Sequence, residues 1–329
     1  MKKILDVRNL EVSFFSEQKI IKAVRVISFS LFEKQKLAIV GESGSGKSAA
    51  MKALLQLLPK NSSRIDAGSA TYEGVDLLKL NTEAIRSFRG KEIGFIFQDP
   101  ISSLNPTMQV GKQLYEAYAT HHRGISREAC YKKVLEILDL VGISDPEERY
   151  LQYPFELSGG MCQRIMIALA LAPEPKILIA DEPTTAIDVT IQSQILALLD
   201  DLQQKLEMSI IFITHDLSLI SGFCDHALVI YAGKIVESGS VEDLFYHPCH
   251  PYTKRLLASI PGIHKNKDEP LKPIEGSIPD LSKEYPHCNF FDRCPKAMNI
   301  CQIQQPPLFS TSNRAICSCW LYDPRKVTS

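Results

Sequence analysis

The sequence predicts an α/β fold: a mainly parallel sheet with an N-terminal antiparallel β region, an inserted helical subdomain, and a small, loop-rich, cysteine-containing C-terminal extension. Three observations predict it. Apolar runs of strand length, Leu37–Val40, Lys176–Ala180 and Ile210–Thr214, each end in a polar segment rather than continuing as a helix. Strict alternation of apolar and polar residues is confined to the first 32 positions. Cysteine and proline crowd the other end of the chain: five of the nine cysteines fall in the last 42 residues, and nine of the 19 prolines lie from Pro261 onward.

Taken in order, Leu10, Val12 and Phe14 alternate with Glu11 and Ser13, and Ile27, Phe29 and Leu31 alternate with Ser28 and Ser30, which predicts two half-buried antiparallel strands. Leu37–Val40 then runs into Gly41-Glu42-Ser43-Gly44-Ser45-Gly46-Lys47-Ser48 and an apolar helix. Strand, glycine loop and helix in that order form a P-loop. The glycines Gly41, Gly44 and Gly46 allow a tight turn in which backbone N–H groups, Ser43 and Ser45 among them, face inward to cradle phosphates at a helix N-terminus. In that setting Lys47 neutralises β/γ-phosphate charge and the Ser48 hydroxyl ligates Mg²⁺.

Ile93–Phe97 reads as a further strand, ending in Gln98-Asp99-Pro100. From Ser126 the spacing of Cys130, Val134, Ile137 and Val141 is helical, and residues 101–160 as a whole look helical or looped, an insertion between two halves of the sheet. Leu157-Ser158-Gly159-Gly160-Met161 opens a helix that runs to Ala172, where Pro173 and Pro175 forbid continuation. The strand after it delivers Asp181 and Glu182. Asp-Glu pairs are common in turns, but behind a phosphate loop and an apolar strand they suit Mg²⁺ binding and orientation of the attacking water. His215 follows the last buried strand, where a lone histidine is more often structural than functional.

Bulk properties narrow the class. With 37 basic and 38 acidic residues the formal net charge is -1, which makes no field that would gather nucleic acid or anionic lipid. No apolar stretch approaches the ~18 residues of a membrane span, and Asp6 interrupts any signal-peptide core at the N-terminus. The expectation is a chain on the cytoplasmic side, with no nucleic-acid partner. In a reducing compartment the cysteine crowding points to metal rather than disulfides.

The P-loop, Gln98, Leu157–Arg164, Ile177–Pro183, Thr185-Ala186-Ile187-Asp188 and Ile213–Asp216 stand in the order and spacing of the ATP-binding cassette (ABC) family, which the chain resembles over residues 1 to about 260. The Leu-Ser-Gly-Gly signature is far more specific to that family than the P-loop is. The resemblance implies a P-loop NTPase core of the ABC type that binds and hydrolyses ATP with Mg²⁺. It implies that Phe14 stacks on adenine, with Phe15 as the rival ring, that Gln98 senses Mg²⁺ and the transmembrane partner, and that His215 holds the γ-phosphate. Ser158, Gly159 and Gly160 would bind ATP held by the opposite subunit, with Asp188 linking the two sites. A second anion site at a helix N-terminus is redundant within one subunit but useful across a dimer interface, where ATP becomes the adhesive.

Finer stretches, Gln98–Pro106, Tyr153–Met161 and His250-Pro251-Tyr252-Thr253, resemble the ATPases of oligopeptide/dipeptide importers, whose relatives also carry nickel. That likeness implies two transmembrane permease subunits, a paralogous ATPase or a second copy of itself, an extracytoplasmic peptide-binding protein, and a place on the cytoplasmic face of a bacterial plasma membrane. A soluble ABC protein is the main competitor; such proteins usually carry two cassettes or long coiled coils, and this chain shows one cassette. The spacing Cys288-x5-Cys294, Cys301 and Cys317 is similar to the tail of that group, which in members of the family holds an iron–sulfur cluster. The residues alone leave [4Fe–4S], Zn²⁺ and free thiols open, since four thiolates suit either metal. The expected domains are 1–262 for the cassette and 263–329 for the extension. Cys162, Phe155 and Gln35 depart from the group's usual Arg, His and Gly. His247, Cys249 and His250 superficially resemble metal ligands, but a proline-fixed turn is the simpler reading.

Overall fold

The computed structural model describes residues 1–16, 19–122, 124–185, 188–260, 274–311 and 315–325. In chain order its strands are β1 (Lys3–Ser16), β2 (Lys19–Phe32), β3 (Lys36–Val40), β4 (Ser63–Tyr72), β5 (Val75–Asp76), β6 (Ile93–Ile96), β7 (Ile177–Asp181), β8 (Ser209–Thr214), β9 (His226–Tyr231), β10 (Lys234–Ser240), β11 (Phe309–Ser310) and β12 (Ile316–Cys317). The chain divides into two compact units, Met1–Lys79 with Thr214–Ser329, and Leu80–Ile213.

In the first unit β1 pairs antiparallel with β2 and with β4, and β5 pairs with β4. The alternation in the sequence is the main cause: Leu5, Val7, Leu10, Val12, Ile27 and Leu31 are buried, and most of their neighbours are more exposed, Ile4 and Ser13 being the buried exceptions. A register shift between Val7 and Leu10 is taken up by Asn9 at φ 49°, whose N–H donates to Ser28 Oγ at 2.8 Å. Asparagine tolerates that left-handed conformation better than most residues. The second sheet of this unit runs β3 parallel to β9, with β10, β12 and β11 following antiparallel. Ala38, Ile39 and Val40 are buried on both faces of β3, as an unbroken apolar run requires.

The C-terminal segment, expected as a loop-rich appendage, is tied to this unit by backbone bonds. The expected boundary at 262/263 lies outside the described residues. β12 pairs with β10, placing Cys317 opposite Glu237. The Lys22 N–H donates to Leu281 O at 3.0 Å, and Arg25 Nη2 donates to Leu281 O at 2.9 Å and Lys283 O at 2.8 Å.

Glu237 is buried, and its carboxylate accepts the backbone N–H of Cys249 at 2.6 Å and of His250 at 2.8 Å. Burial pushes its carboxyl above the usual range. His250 caps the helix Pro251–Ala258, its Nδ1 accepting the Tyr252 N–H at 3.0 Å; burial holds this ring neutral, with its pKa lowered to about 3. The His-Pro-Tyr stretch is thus a capped turn built on a buried carboxylate.

The second unit carries β6, β7 and β8 in parallel. Between β6 and the helix Gly159–Leu171 lie the helices Pro100–Ser103, Val110–His121, Arg127–Leu140 and Pro146–Leu151. Ser126 caps Arg127–Leu140 by accepting the Ala129 N–H, and Cys130, Val134, Ile137 and Val141 turn inward as their spacing demands.

Glu237→Ala should lower the unfolding free energy by about 2–4 kcal/mol, since two buried N–H donors lose their acceptor at roughly 1–3 kcal/mol each. Glu237→Gln, which retains one acceptor oxygen, should lose less. Urea unfolding midpoints of the three proteins measure the difference.

Candidate functional site

The phosphate loop is shaped by close backbone approaches that only glycine permits. A Cβ on Gly46, at φ 99°, would lie 2.1 Å from Ala23 O, and one on Gly41 would lie 2.1 Å from Ile230 O. Both are impossible contacts with main chain, so neither position accepts a side chain. Ser45 is buried; its carbonyl accepts the Gly233 N–H at 2.9 Å, and its Oγ is buried without a hydrogen-bond partner. A buried hydroxyl left in this state suits a site completed by an oxyanion.

Gly46, without a side chain, is the N-cap of the helix Lys47–Leu54, whose first turn follows the loop directly. The Lys47 ammonium, 4% exposed, donates to Gly41 O at 2.7 Å and Glu42 O at 3.0 Å. The loop holds its own cation over its mouth. Ser43 and Gly44 are exposed, and Ser48 is half-buried at the first helical turn. Phe14 and Phe15 are half-buried near the end of β1, and the Arg64 guanidinium lies over the Phe15 ring at 5.2 Å. His215 is exposed directly after β8.

In the second unit β7 ends in Asp181, fully buried, followed by Glu182 at 8% exposure. Glu182 has φ 49°, a left-handed conformation that costs an L-residue about 1–2 kcal/mol, and its N–H donates to Ile213 O at 3.0 Å. One of its carboxylate oxygens, Oε2, accepts from Gln98 Nε2 at 3.0 Å and from Thr185 Oγ1 at 3.0 Å. The structure therefore brings Gln98 and Glu182 together and adds Thr185. The sequence reading passed over Thr185 as a carboxylate partner, although its place three residues after Glu182 in a turn was a usable signal.

Ser158, exposed, caps the helix Gly159–Leu171, its Oγ accepting the Met161 N–H at 3.3 Å. Gly159 is exposed with nothing within 4 Å of a Cβ position, and Gly160 is half-buried. This helix opens to solvent through small residues. Cys162, one turn in, is buried with its thiol donating to Pro154 O at 3.4 Å. Asp188 is exposed at the start of the helix Val189–Leu206, while Ala186 and Ile187 of the same motif lie outside the described residues.

The cysteines divide differently from the expected set. Cys288, Cys294, Cys301 and Cys319 line one small cavity together with His250, Phe290 and Trp320. Cys317 does not line it. Cys317 is fully buried beside Cys249 and Cys319, against Tyr322. Cys319, two residues beyond, is the fourth thiol at the cavity. Burial and the neighbouring thiols push Cys288 up to about 12 and Cys319 up to about 11, and burial raises Cys294. As the side chains stand, no three His, Cys, Asp or Glu residues among those described are close enough together to hold a metal ion.

Residues 24–185 match the family described as ABC transporter, and residues 236–301 match the one described as Oligopeptide/dipeptide transporter, C-terminal region. Over 322 residues the chain is 48% identical to the Oligopeptide transport ATP-binding protein OppD of Bacillus subtilis, a comparison covering 98% of this chain and 90% of the relative. The chain belongs to the ABC transporter family. It is 47% identical over 328 residues to the Dipeptide transport ATP-binding protein DppD of Lactococcus lactis, covering 99% of this chain and 93% of that one. Among solved structures it is similar to the ABC cassette MJ0796 in a dimeric, post-hydrolysis state bound to ADP and Pi. The TM-score there is 0.65 at 26% identity, over 72% of this chain and 99% of that one.

An ABC transporter ATPase hydrolyses ATP with Mg²⁺, and the phosphate loop described above suits that substrate. No helix among the described residues is long and apolar enough to cross a membrane.

Gly46→Ala should abolish ATP binding, because its new methyl group meets the Ala23 carbonyl. Gly44→Ala should cost only about 1 kcal/mol of left-handed strain, since nothing lies within 4 Å of its Cβ position. Equilibrium nucleotide titration alongside thermal unfolding separates the two outcomes.

Proposed function

We propose that this chain is the ATPase subunit of an importer of oligopeptides or dipeptides, peripheral on the cytoplasmic face of a bacterial plasma membrane. It would act with two transmembrane permease subunits, an extracytoplasmic peptide-binding protein, and a second ATPase, a paralogue or itself. The observation that carries this reading is the occurrence, in one chain, of the cassette match and the oligopeptide-transporter C-terminal match. Exposed apolar side chains of the second unit add support. Phe97, Ile101, Leu151 and Phe155 are 39%, 67%, 60% and 75% exposed, and they lie close in sequence to Gln98 or to Ser158. Large exposed apolar residues on such segments suit a protein partner.

Residue roles follow the chemistry of each position. The loop amides from Gly41 to Ser48, including Ser43, Gly44, Ser45 and Gly46, bind phosphate oxygens. Lys47 leaves its carbonyl partners to neutralise the β/γ-phosphates. Phe14 stacks on the adenine. Ser48, Asp181 and Gln98 would hold Mg²⁺, which would supply neutralisation of the phosphate charge. Glu182 accepts a hydrogen bond from the attacking water and orients it, its carboxylate aimed by Gln98 and Thr185. His215 donates to the γ-phosphate. Ser158, Gly159 and Gly160 serve the nucleotide of the opposite subunit in an ATP-closed dimer, and Asp188 links the two sites.

For the extension we propose a four-thiol metal centre, [4Fe–4S] in preference to Zn²⁺, on Cys288, Cys294, Cys301 and Cys319. What supports it is that these four thiols all line one small cavity, and that Cys₄ is a donor set which either metal accepts. The extension has short elements and little apolar core, so the centre would supply cross-links that packing does not.

Glu182→Gln should retain ATP binding, trap the closed dimer, and cut turnover in the assembled transporter by roughly two to four orders of magnitude. Adding Ser158→Arg should abolish the trapped dimer without weakening ATP binding to the isolated subunit. Light scattering and single-turnover ATPase assays read both. Anaerobically purified protein should be brown with about four irons per chain. Cys319→Ser should remove the colour and Cys317→Ser should keep it; the reverse result, or stoichiometric zinc, would overturn the assignment.

A further inference from the structure

Glu42 is an unexpected residue to find in a phosphate loop, because it sets a carboxylate inside the segment that receives a polyanion. Its surroundings answer the problem. Arg293 Nη1 donates to Glu42 Oε2 at 2.7 Å and Arg293 Nη2 donates to Glu42 Oε1 at 2.9 Å, a two-pronged ion pair between residues 251 positions apart. The Arg293 side chain is 5% exposed and that of Glu42 27%.

The remaining guanidinium donors are also taken. Nε donates to Glu275 O at 3.0 Å, the second Nη1 proton reaches Tyr231 Oη at 3.3 Å, and the second Nη2 proton reaches Ile274 O at 3.2 Å. An arginine has five N–H donors, and each has an acceptor here. Saturation of this kind fixes the fork in one orientation, which a lysine could not match. The guanidinium also lies 5.7 Å from the centre of the Tyr231 ring.

The same loop residue is held from its backbone side. The Glu42 N–H donates to Tyr252 Oη at 2.8 Å. Tyr252 is fully buried in an aromatic group with Tyr231 and Phe290, the ring centres 4.6 and 5.4 Å away. Phe290 and Arg293 flank one short turn of the extension, and Cys294 follows Arg293 directly. The His-Pro-Tyr stretch and the cysteine-bearing turn therefore converge on the second residue of the phosphate loop.

We propose that Arg293 is a positioning residue of the nucleotide site: by neutralising and anchoring Glu42 it keeps that carboxylate away from Lys47 and from the incoming phosphates, so the C-terminal extension sets ATP affinity. This rests on the reading of residues 41–48 as the ATP phosphate loop. Without Arg293 the Glu42 carboxylate is unpaired in a poorly solvated position, five residues from an ammonium that it would compete to bind. The extension is then part of the nucleotide site, and loss of order around Cys294 is felt as weaker ATP binding.

The test measures MgATP affinity of the full chain and KM and kcat of the assembled transporter. Arg293→Ala should raise the dissociation constant and KM together by about tenfold or more, the order expected for one unpaired charge beside a polyanion, with kcat changed less than about twofold. Arg293→Lys should fall between. Arg293→Ala combined with Glu42→Gln should recover most of the lost affinity, because the uncompensated charge is gone. Unchanged affinity in Arg293→Ala would overturn the proposal, as would a double variant as weak as the single one, which would mean that Arg293 only keeps the extension folded. Lys47→Ala is the control on the site itself. Its normal affinity would overturn the phosphate-loop reading and the proposal with it; its loss of affinity beside an unaffected Arg293→Ala would overturn the proposal alone.

Discussion

Main chain pressed against main chain is the constraint on which the phosphate end of this molecule depends. Gly46 sits under the Ala23 carbonyl and Gly41 under the Ile230 carbonyl, each with no room for a methyl group. Ala23 belongs to β2 and Ile230 to β9, so both sheets of the first unit press on one loop. The antiparallel sheet is thereby more than a cover. Its β2 supplies a wall of the cradle, and β2 in turn is bonded to the C-terminal segment through Lys22 and Arg25. A loop shaped by fixed carbonyls needs little rearrangement to receive its ligand, which is the structural content of preorganisation.

The carboxylate end is organised by strain and by donors. Glu182 departs from the extended backbone of β7 at a positive φ, and Gln98 and Thr185 converge on a single oxygen of its side chain. A left-handed glutamate persists only where its neighbours over-determine it. The Ile213 carbonyl on one side and the two side-chain donors on the other provide that restraint.

Much of this was legible in the sequence because burial on both faces leaves a plain mark. The runs at 37–40, 177–180 and 210–214 are three of the parallel strands, β3, β7 and β8, and the polar residues at their ends are the chemistry. Other parts left no mark. Only Ala70 and Tyr72 of β4 are buried, so its sequence Ser63–Tyr72 carries a much shorter apolar alternation than those that revealed β1 and β2. β9 and β10, joined at Ala232-Gly233 with φ of 47° and 79°, form a hairpin whose turn signal was present but unread. The fourth cavity thiol was beyond spacing arguments. Cys317 lies inside β12 and Cys319 just outside it at the start of a short helical turn; the two are neighbours, yet only Cys319 also lines the cavity. The pairing of Arg293 with Glu42 was equally hidden, since no local pattern links residues so far apart along the chain.

The two-residue strand β12 has one more consequence. Within its unit it occupies the free side of β10, where backbone N–H and C=O groups would otherwise face water as a template for foreign strands. β11 then closes the outside of β12 with an equally short segment. Strands this brief offer too few unpaired groups to recruit another chain. The cysteine-rich extension thus covers the one side of β10 that would otherwise be open to edge-to-edge pairing.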